Sequence, residues 1–499
     1  MQRAILIPDS FDAVPTLSVT VAVAASDTVA DDAGAVGVAV GEDGDVPGVL
    51  QLDRATLAAA GFAGKPGQSL AVPTGSGVRV AVGVGPLAAA DAGKIRDAAA
   101  RFANAVSHAS ALTFVLPSGA NASEVSGAAV EGIVLARYRW DALKSSPGTV
   151  RVESVTIVAP DVTAAQVSAD RGALFAHTTA VARDLCNAPP AHMSATRIAD
   201  LSVAAGPAAN LEVEVFDRDQ LIEMQCGGII AVNGGSEEPP RLVKLTYRPD
   251  GVDSPAHLAI VGKGVMYDSG GISLKPGDAV HATMKNDMSG AGALLATMLS
   301  LSKAKCPIAV TAYLVCTDNM PSGTAVKLGD VMTVRGGTTV EIINTDAEGR
   351  LVMADALVLS TELQPDAILD IATLTGACMR ALGEQVAGVM GNNAALIGQI
   401  KAAGEVTEEP LWELPLERRY RSQLDSDVAD LKNLGGANAG AITAALFLET
   451  FVDGVPWAHI DIAGTAQSDS SAPWRPVGCT GFGARLLLQI ALDFEAKLS

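Results

Sequence analysis

From about residue 165 onward the chain follows one pattern, short and largely apolar runs with helical stretches between several of them. The runs are His257–Val265, Ile308–Cys316, Ala367–Leu374, Val386–Met390 and Trp457–Ile462. A strand with one wet face alternates apolar and polar residues. A run without that alternation has both faces covered. Between several runs lie Gly290–Lys303, Leu351–Leu363 and Ala441–Phe451, which have helical composition. The expected architecture is therefore an α/β sheet layered by helices. Such sheets bind ligands at the carboxyl ends of their strands, so reactive side chains are expected just after the runs.

The first third is built differently, rich in Ala, Val, Gly and Asp. Ile5–Ile7, Val80–Val84 and Leu112–Val115 read as buried strands, and Ala88–Ala105 and Ala164–Ala182 as helices. Val82-Gly83-Val84-Gly85-Pro86 is neither a complete G-x-G-x-x-G nor a Walker motif, and reads as a turn after a strand. The long Ala164–Ala182 stretch is read as the link between two domains, residues 1–164 and 165–499.

Composition closes off other classes. The 499 residues carry 35 Lys and Arg against 55 Asp and Glu, a net charge of −20. Phosphate binding needs a basic surface, so this balance argues against nucleic acid as the main partner. No run approaches the ~18 apolar residues of a membrane span. Met1–Pro8 lacks the pattern of a secretory signal, and a cytoplasmic location is expected. Six scattered cysteines with no C-x-x-C pair read as reduced thiols.

Three segments near strand ends hold acidic and basic groups together. They are Val261–Lys275 (VGKGVMYDSGGISLK), Met284–Gly290 (MKNDMSG) and Asn344–Leu351 (NTDAEGRL). An extended backbone over the last would set Asp346, Glu348 and Arg350 on one side. Two carboxylates so placed repel unless a cation sits between them. Asp268 and Asp287 add two more, making four negative charges, which two divalent cations would balance. Oxygen ligands point to Mg, Mn, Co or Zn. Lys263 could serve as an amine ligand if a dication displaces its proton. Spacing alone leaves solvated surface or ion pairs as the other reading of these groups.

The string Asn344-Thr345-Asp346-Ala347-Glu348-Gly349-Arg350-Leu351 resembles the signature of the leucyl aminopeptidase, or cytosol aminopeptidase, family. The resemblance extends through Gly262-Lys263 and Asp268–Lys275, Asp287–Gly290, Asn319–Gly323, Ala372–Ala377, Gly440–Ala445, Trp457–Gly464 and Gly481–Gly483. It covers roughly residues 180 to 490 in order. It implies an α/β fold with a smaller N-terminal α/β domain, then a larger catalytic domain whose mixed central sheet is layered by helices.

The resemblance also implies an activity: removal of the N-terminal residue, leucine or another apolar one, from short peptides with a free N-terminus. Lys263, Asp268, Asp287, Asp346 and Glu348 would ligate two divalent ions, Mn or Zn first, with Mg or Co as alternatives. Asp268 and Glu348 would bridge the ions, and Lys263 and Asp287 would belong to the tighter site. A hydroxide between the ions would attack the carbonyl. Lys275 would be the cation facing that carbonyl, and Arg350 the anchor of a bicarbonate ion. Met284, Thr373, Gly376 and Ala463 would line the side-chain pocket, and Leu374 would offer backbone hydrogen bonds. Ala466 stands where relatives often carry Met, which implies a roomier pocket. A homohexamer is implied as well.

Several residues get plainer readings. His459 reads as a satisfied core histidine on an apolar strand. His281 lies near the expected site without a required role. Cys378 has no identifiable histidine partner and is not read as a nucleophile. The absence of G-x-S-x-G and H-E-x-x-H argues against a serine hydrolase and a helix-borne zinc protease. The competing function is a DNA-binding or regulatory protein on the same scaffold, which the net charge disfavours.

Overall fold

The structure is a computed structural model that describes residues 12–498 except 76, 147, 149 and 254. Ile5–Ile7, expected as a strand, lies outside the described residues. The chain divides into two compact units, Met1–Ala180 with Ser468–Gly478, and Val181–Gln467 with Cys479–Ser499. The division falls inside a 26-residue helix, Val162–Asn187.

The first unit is built on strands β1 (Ala22–Ser26), β2 (Ala35–Val40), β3 (Ser69–Thr74), β4 (Gly77–Gly83), β5 (Ala111–Val115) and β6 (Ser154–Val158). They lie in the order β1-β6-β5-β2-β4-β3, and β3 alone among them pairs antiparallel. Every residue of β2 is buried, as a strand covered on both faces requires. Helices α1 (Ala92–Ala105) and α2 (Ala122–Ala136) pack closely because small residues face each other. A Cβ on Gly132 would stand 2.2 Å from the Arg96 carbonyl. The sequence suggested that α1 starts at Ala88. It starts at Ala92 because the Asp91 side chain accepts from the Lys94 amide at 2.9 Å and caps it there. Leu87–Ala89 forms a separate 3-10 turn.

The late segment Ser468–Gly478 belongs to this first unit through Trp474. Trp474 is buried in the same core as Phe102 and Phe114, and its indole N–H donates to Asp97 at 3.1 Å. Asn104 on α1 donates to the Pro473 carbonyl at 2.9 Å.

The second unit carries strands β7 (Leu211–Phe216), β8 (Arg241–Tyr247), β9 (His257–Asp268), β10 (Ala309–Asn319), β11 (Ala367–Ala372), β12 (Ala387–Gly391), β13 (Leu411–Glu413) and β14 (Trp457–Asp461). Their order is β13-β12-β14-β11-β9-β10-β8-β7. The central four, β14, β11, β9 and β10, are parallel. Antiparallel pairs of β8 with β10, β7 with β8 and β12 with β14 make the sheet mixed, as the resemblance implied.

Helices α3 (Ser289–Leu301) and α4 (Gly349–Thr361) are buried on nearly every side. α3 sits tight on the sheet, since a Cβ on Gly290 would meet the Ile371 carbonyl at 2.2 Å. The β9–β10 register slips between Thr317 and Asp318, which places Asn319 opposite Asp268. A bulge of this kind re-aims the residues beyond it.

Candidate active site

Lys263 lies in the middle of β9 with its side chain buried, so its ammonium must find partners within the protein. It donates to Asp287 Oδ1 at 2.9 Å, Glu348 Oε1 at 2.8 Å and the Thr373 carbonyl at 3.0 Å. The stem passes so close to α4 that a Cβ on Gly349 would meet Lys263 Nζ at 2.7 Å. A side chain there would push the end of Lys263 away from its carboxylates.

Lys275 reaches the same cluster from the loop after β9. Its Nζ lies 2.7 Å from Asp268 Oδ2 and 2.5 Å from Asp346 Oδ1. The loop turns at Gly270, where φ is +88° and a Cβ would stand 2.5 Å from the Ser273 carbonyl. Two lysines thus hold four carboxylates, each ammonium bridging a pair.

Thr345 and Asp346 form a turn and Glu348 already has helical dihedrals, φ −75° and ψ −36°, at the start of α4. The extended backbone expected for this stretch is therefore corrected: a turn followed by a helix brings the groups in. Asp268, Asp346 and Glu348 still converge, with one carboxylate oxygen from each lying within 4.8 Å of the others. Arg350 lies in the first turn of α4, buried.

The electrostatics follow from burial. Desolvation raises the Asp268 carboxyl to about 6, against the fields of Lys275 and Lys263. It also raises Asp287 and Asp346. Burial works against the Glu348 carboxylate too, yet Lys263 and Lys275 outweigh it and lower its pKa. Burial likewise disfavours both ammonium groups, and the surrounding carboxylates overcome it and raise both lysines. Arg350 is pulled down to about 10 by burial, against the pull of Glu348 and Asp461, and stays a cation at neutral pH.

Four buried side-chain atoms in this region make no hydrogen bond: Asp287 Oδ2, which only pairs in charge with Lys263 Nζ at 2.8 Å, Glu348 Oε2, and Arg350 Nε and Nη1. A buried oxygen and a buried guanidinium left open call for partners from outside the chain. The donor set of carboxylate oxygens plus one amine suits a hard divalent cation. The guanidinium suits a small oxyanion.

The expected pocket residues lie on three segments, and Thr373 among them touches the cluster directly. Met284, half-buried, is on the 3-10 helix His281–Met288 that carries Asp287. Thr373, Leu374 and Gly376 follow the end of β11, and the Thr373 hydroxyl donates to Asp287 Oδ1 at 2.7 Å. Ala463 follows β14, and its amide donates to Asp461 Oδ1 at 3.1 Å. Ala466 is buried.

Sequence reasoning gave no role to Asn319, Thr345 or Asp461. Asn319 Nδ2 donates to Asp268 Oδ1 at 2.8 Å and to the Thr345 carbonyl at 3.0 Å, so it ties the β9 loop to the α4 turn. Thr345 Oγ1 donates to the Gly270 carbonyl at 2.7 Å and accepts from the Ser273 amide at 2.8 Å. The available signal was a polar residue closing an apolar run, as at Asn319 and Asp461.

His459 lies in the core as read, but it is not fully satisfied, because its buried Nε2 makes no hydrogen bond. Its Nδ1 lies 2.5 Å from Asp370 Oδ1. Burial pushes the Cys378 thiol up to about 12, far from a thiolate. His281 stacks on Tyr267 with ring centroids 5.9 Å apart.

A model of the catalytic domain of the cytosol aminopeptidase family matches residues 180–488, and one of the family's N-terminal domain matches residues 51–147. A probable cytosol aminopeptidase from Streptomyces avermitilis is 39% identical over an alignment of 508 residues, covering 95% of this chain and 98% of that one. One from Chlorobaculum tepidum is 44% identical over 380 residues, 74% of this chain and 75% of that one. Among solved structures, the bottromycin maturation enzyme BotP in complex with Mn gives a TM-score of 0.84 at 36% identity, covering 92% of this chain and 99% of its own. A mutant of tomato leucine aminopeptidase gives 0.85 at 29% identity, with 95% and 97% covered.

Proposed function

The chain belongs to the cytosol aminopeptidase family and is a metallo-aminopeptidase, and from that premise we propose that it removes leucine and other apolar residues from the N-terminus of short peptides with two divalent ions. Lys263, Asp268, Asp287, Asp346 and Glu348 would hold the ions, and Arg350 a bicarbonate. The observation that carries this reading is the convergence of Asp268, Asp346 and Glu348 with the buried, unpartnered Glu348 Oε2 among them. Manganese and zinc are the ions favoured, and the manganese in BotP supports the first.

When bound, the ions supply Lewis acidity and an acidified water, and the bicarbonate a proton acceptor. The chain's own part is placement and charge. Lys275 stands on Asp268 and Asp346 and would turn its ammonium to the developing oxyanion. Arg350 would donate its free Nε and Nη1 protons to the anion. Met284, Thr373, Gly376 and Ala463 would receive the N-terminal side chain. The Leu374 amide is committed to Asp461 at 3.2 Å, so its carbonyl is the backbone group left to accept from the substrate.

A homohexamer acting in the cytoplasm completes the proposal. The relatives' name, cytosol aminopeptidase, supports the compartment. Among the described residues no helix is long and apolar enough to cross a membrane. Metal analysis of the purified protein beside a panel of unblocked aminoacyl anilides tests the core of the reading. Bound metal with turnover of the leucyl substrate is expected. A protein that binds no divalent ion and cleaves none of the panel would overturn it, and native mass measurement checks the hexamer.

A further inference from the structure

Beneath the proposed pocket wall runs a line of buried charge. β11 and β14 pair in parallel, with Asp370 opposite His459 and Ala372 opposite Asp461. Asp370, His459 and Asp461 are all at 0% exposure. The Trp457 indole N–H donates to Asp370 Oδ2 at 2.7 Å, and His459 Nδ1 lies on Asp370 Oδ1. The other imidazole nitrogen, Nε2, faces Asp461 Oδ2 at 3.9 Å. Well-packed apolar side chains would fill such strand positions at lower cost, so the charges call for a purpose beyond filling the core.

That purpose is visible at the far end of the line. Asp461 Oδ1 accepts from the Leu374 amide at 3.2 Å, the Thr375 amide at 3.4 Å and the Ala463 amide at 3.1 Å. Oδ2 accepts from the Thr375 hydroxyl at 2.7 Å. That hydroxyl in turn accepts from the Cys378 amide at 3.0 Å, capping the helix Gly376–Leu382. One carboxylate therefore ties together the turn after β11 and the turn after β14, which carry Thr373, Leu374, Gly376 and Ala463.

We propose that Asp461 is a positioning residue that sets which N-terminal side chain the enzyme prefers, by fixing the spacing of the Leu374–Gly376 and Ala463 walls. This rests on the peptidase reading of the site. Among the described residues Asp461 hydrogen-bonds to none of the expected metal ligands, although its charge acts on Arg350. Its effect should therefore fall on substrate choice and leave metal loading alone. An asparagine keeps the size and one acceptor oxygen, but it sets an amide N–H₂ or a weaker oxygen against donors that now meet a carboxylate.

The experiment measures kcat and KM of the metal-loaded wild type, Asp461→Asn, Thr375→Val and Thr375→Ser on alanyl, leucyl and phenylalanyl anilides, with metal content alongside. Asp461→Asn is expected to retain full metal content and to lose about tenfold in the leucyl-to-alanyl ratio of kcat/KM, chiefly through KM. Thr375→Val should shift the ratio the same way by less, and Thr375→Ser should restore it. Should Asp461→Asn fail to fold, the two Thr375 variants decide the matter. Unaltered ratios in the folded variants, or an equal fall on every substrate, would overturn the proposal while wild-type turnover leaves the peptidase reading standing. A wild type inactive on all three anilides would instead sink that reading.

Discussion

Lys263 Nζ lies 2.8 Å from Glu348 Oε1, an ammonium against a carboxylate with neither side chain open to water. If dications take over the neutralising role, the lysine must surrender its proton to act as a ligand. Loading the metal-free protein with manganese at neutral pH should therefore release about one proton per chain from Lys263. Calorimetry in buffers of different ionisation enthalpy measures it, and a buffer-independent heat would argue against a lysine ligand. Lys263→Arg should fold but lose metal, because a guanidinium does not deprotonate.

Asp346 is the most exposed of the four carboxylates, with 35% of its side chain accessible. Its removal should cost little stability, so any loss of function reflects the site and not the fold. Asp346→Ala is expected to lose both metal occupancy and anilide hydrolysis while its thermal midpoint without metal stays close to wild type. Wild-type turnover in that variant would refute the ligand assignment.

Lys275 sits at the mouth of the cluster, bonded to Asp268 and Asp346. If it faces the reacting carbonyl, Lys275→Ala should lower kcat by about 10²–10³-fold. Metal content, read by elemental analysis, should change little. Unchanged kcat at full metal loading would remove the role.

The His459–Asp370 pair predicts a pH dependence. Burial disfavours the imidazolium, but Asp370 and Asp461 outweigh it and raise the pKa from 6.5 to about 9. A pKa raised on folding adds stability that is complete below 6.5 and fades as pH climbs through 9. The difference in urea midpoint between wild type and His459→Gln should shrink across that window. A gap constant with pH would mean the histidine is neutral in the fold.

A peptide blocked by N-acetylation should resist cleavage, since the proposed substrates are peptides with a free N-terminus. Parallel chromatography of blocked and unblocked leucyl peptides tests this, and comparable product from both would contradict it.

The local parts of this molecule were readable from residue order. Runs such as Ile308–Cys316 became buried parallel strands because covering on both faces leaves a mark in composition. The Asp346–Glu348 pair was visible as a motif, though its backbone was misjudged: spacing of two suits both a strand and the entry to a helix. Asn319 and Asp461 were not legible. Asn319 meets Asp268 only through the irregularity after Thr317, and Asp461 meets Leu374 across 87 residues of chain. Those partnerships depend on register, which no short window of sequence contains.

Trp474 packs into a core whose other described members lie between Ala35 and Ala176. On a ribosome, those early strands emerge long before their last apolar plug is translated. Until then the alanine-rich helices around Phe102 lack a cover, and closing so long a loop carries an entropic toll. A protein shortened before Trp474 would lack the indole that packs on this core and donates to Asp97.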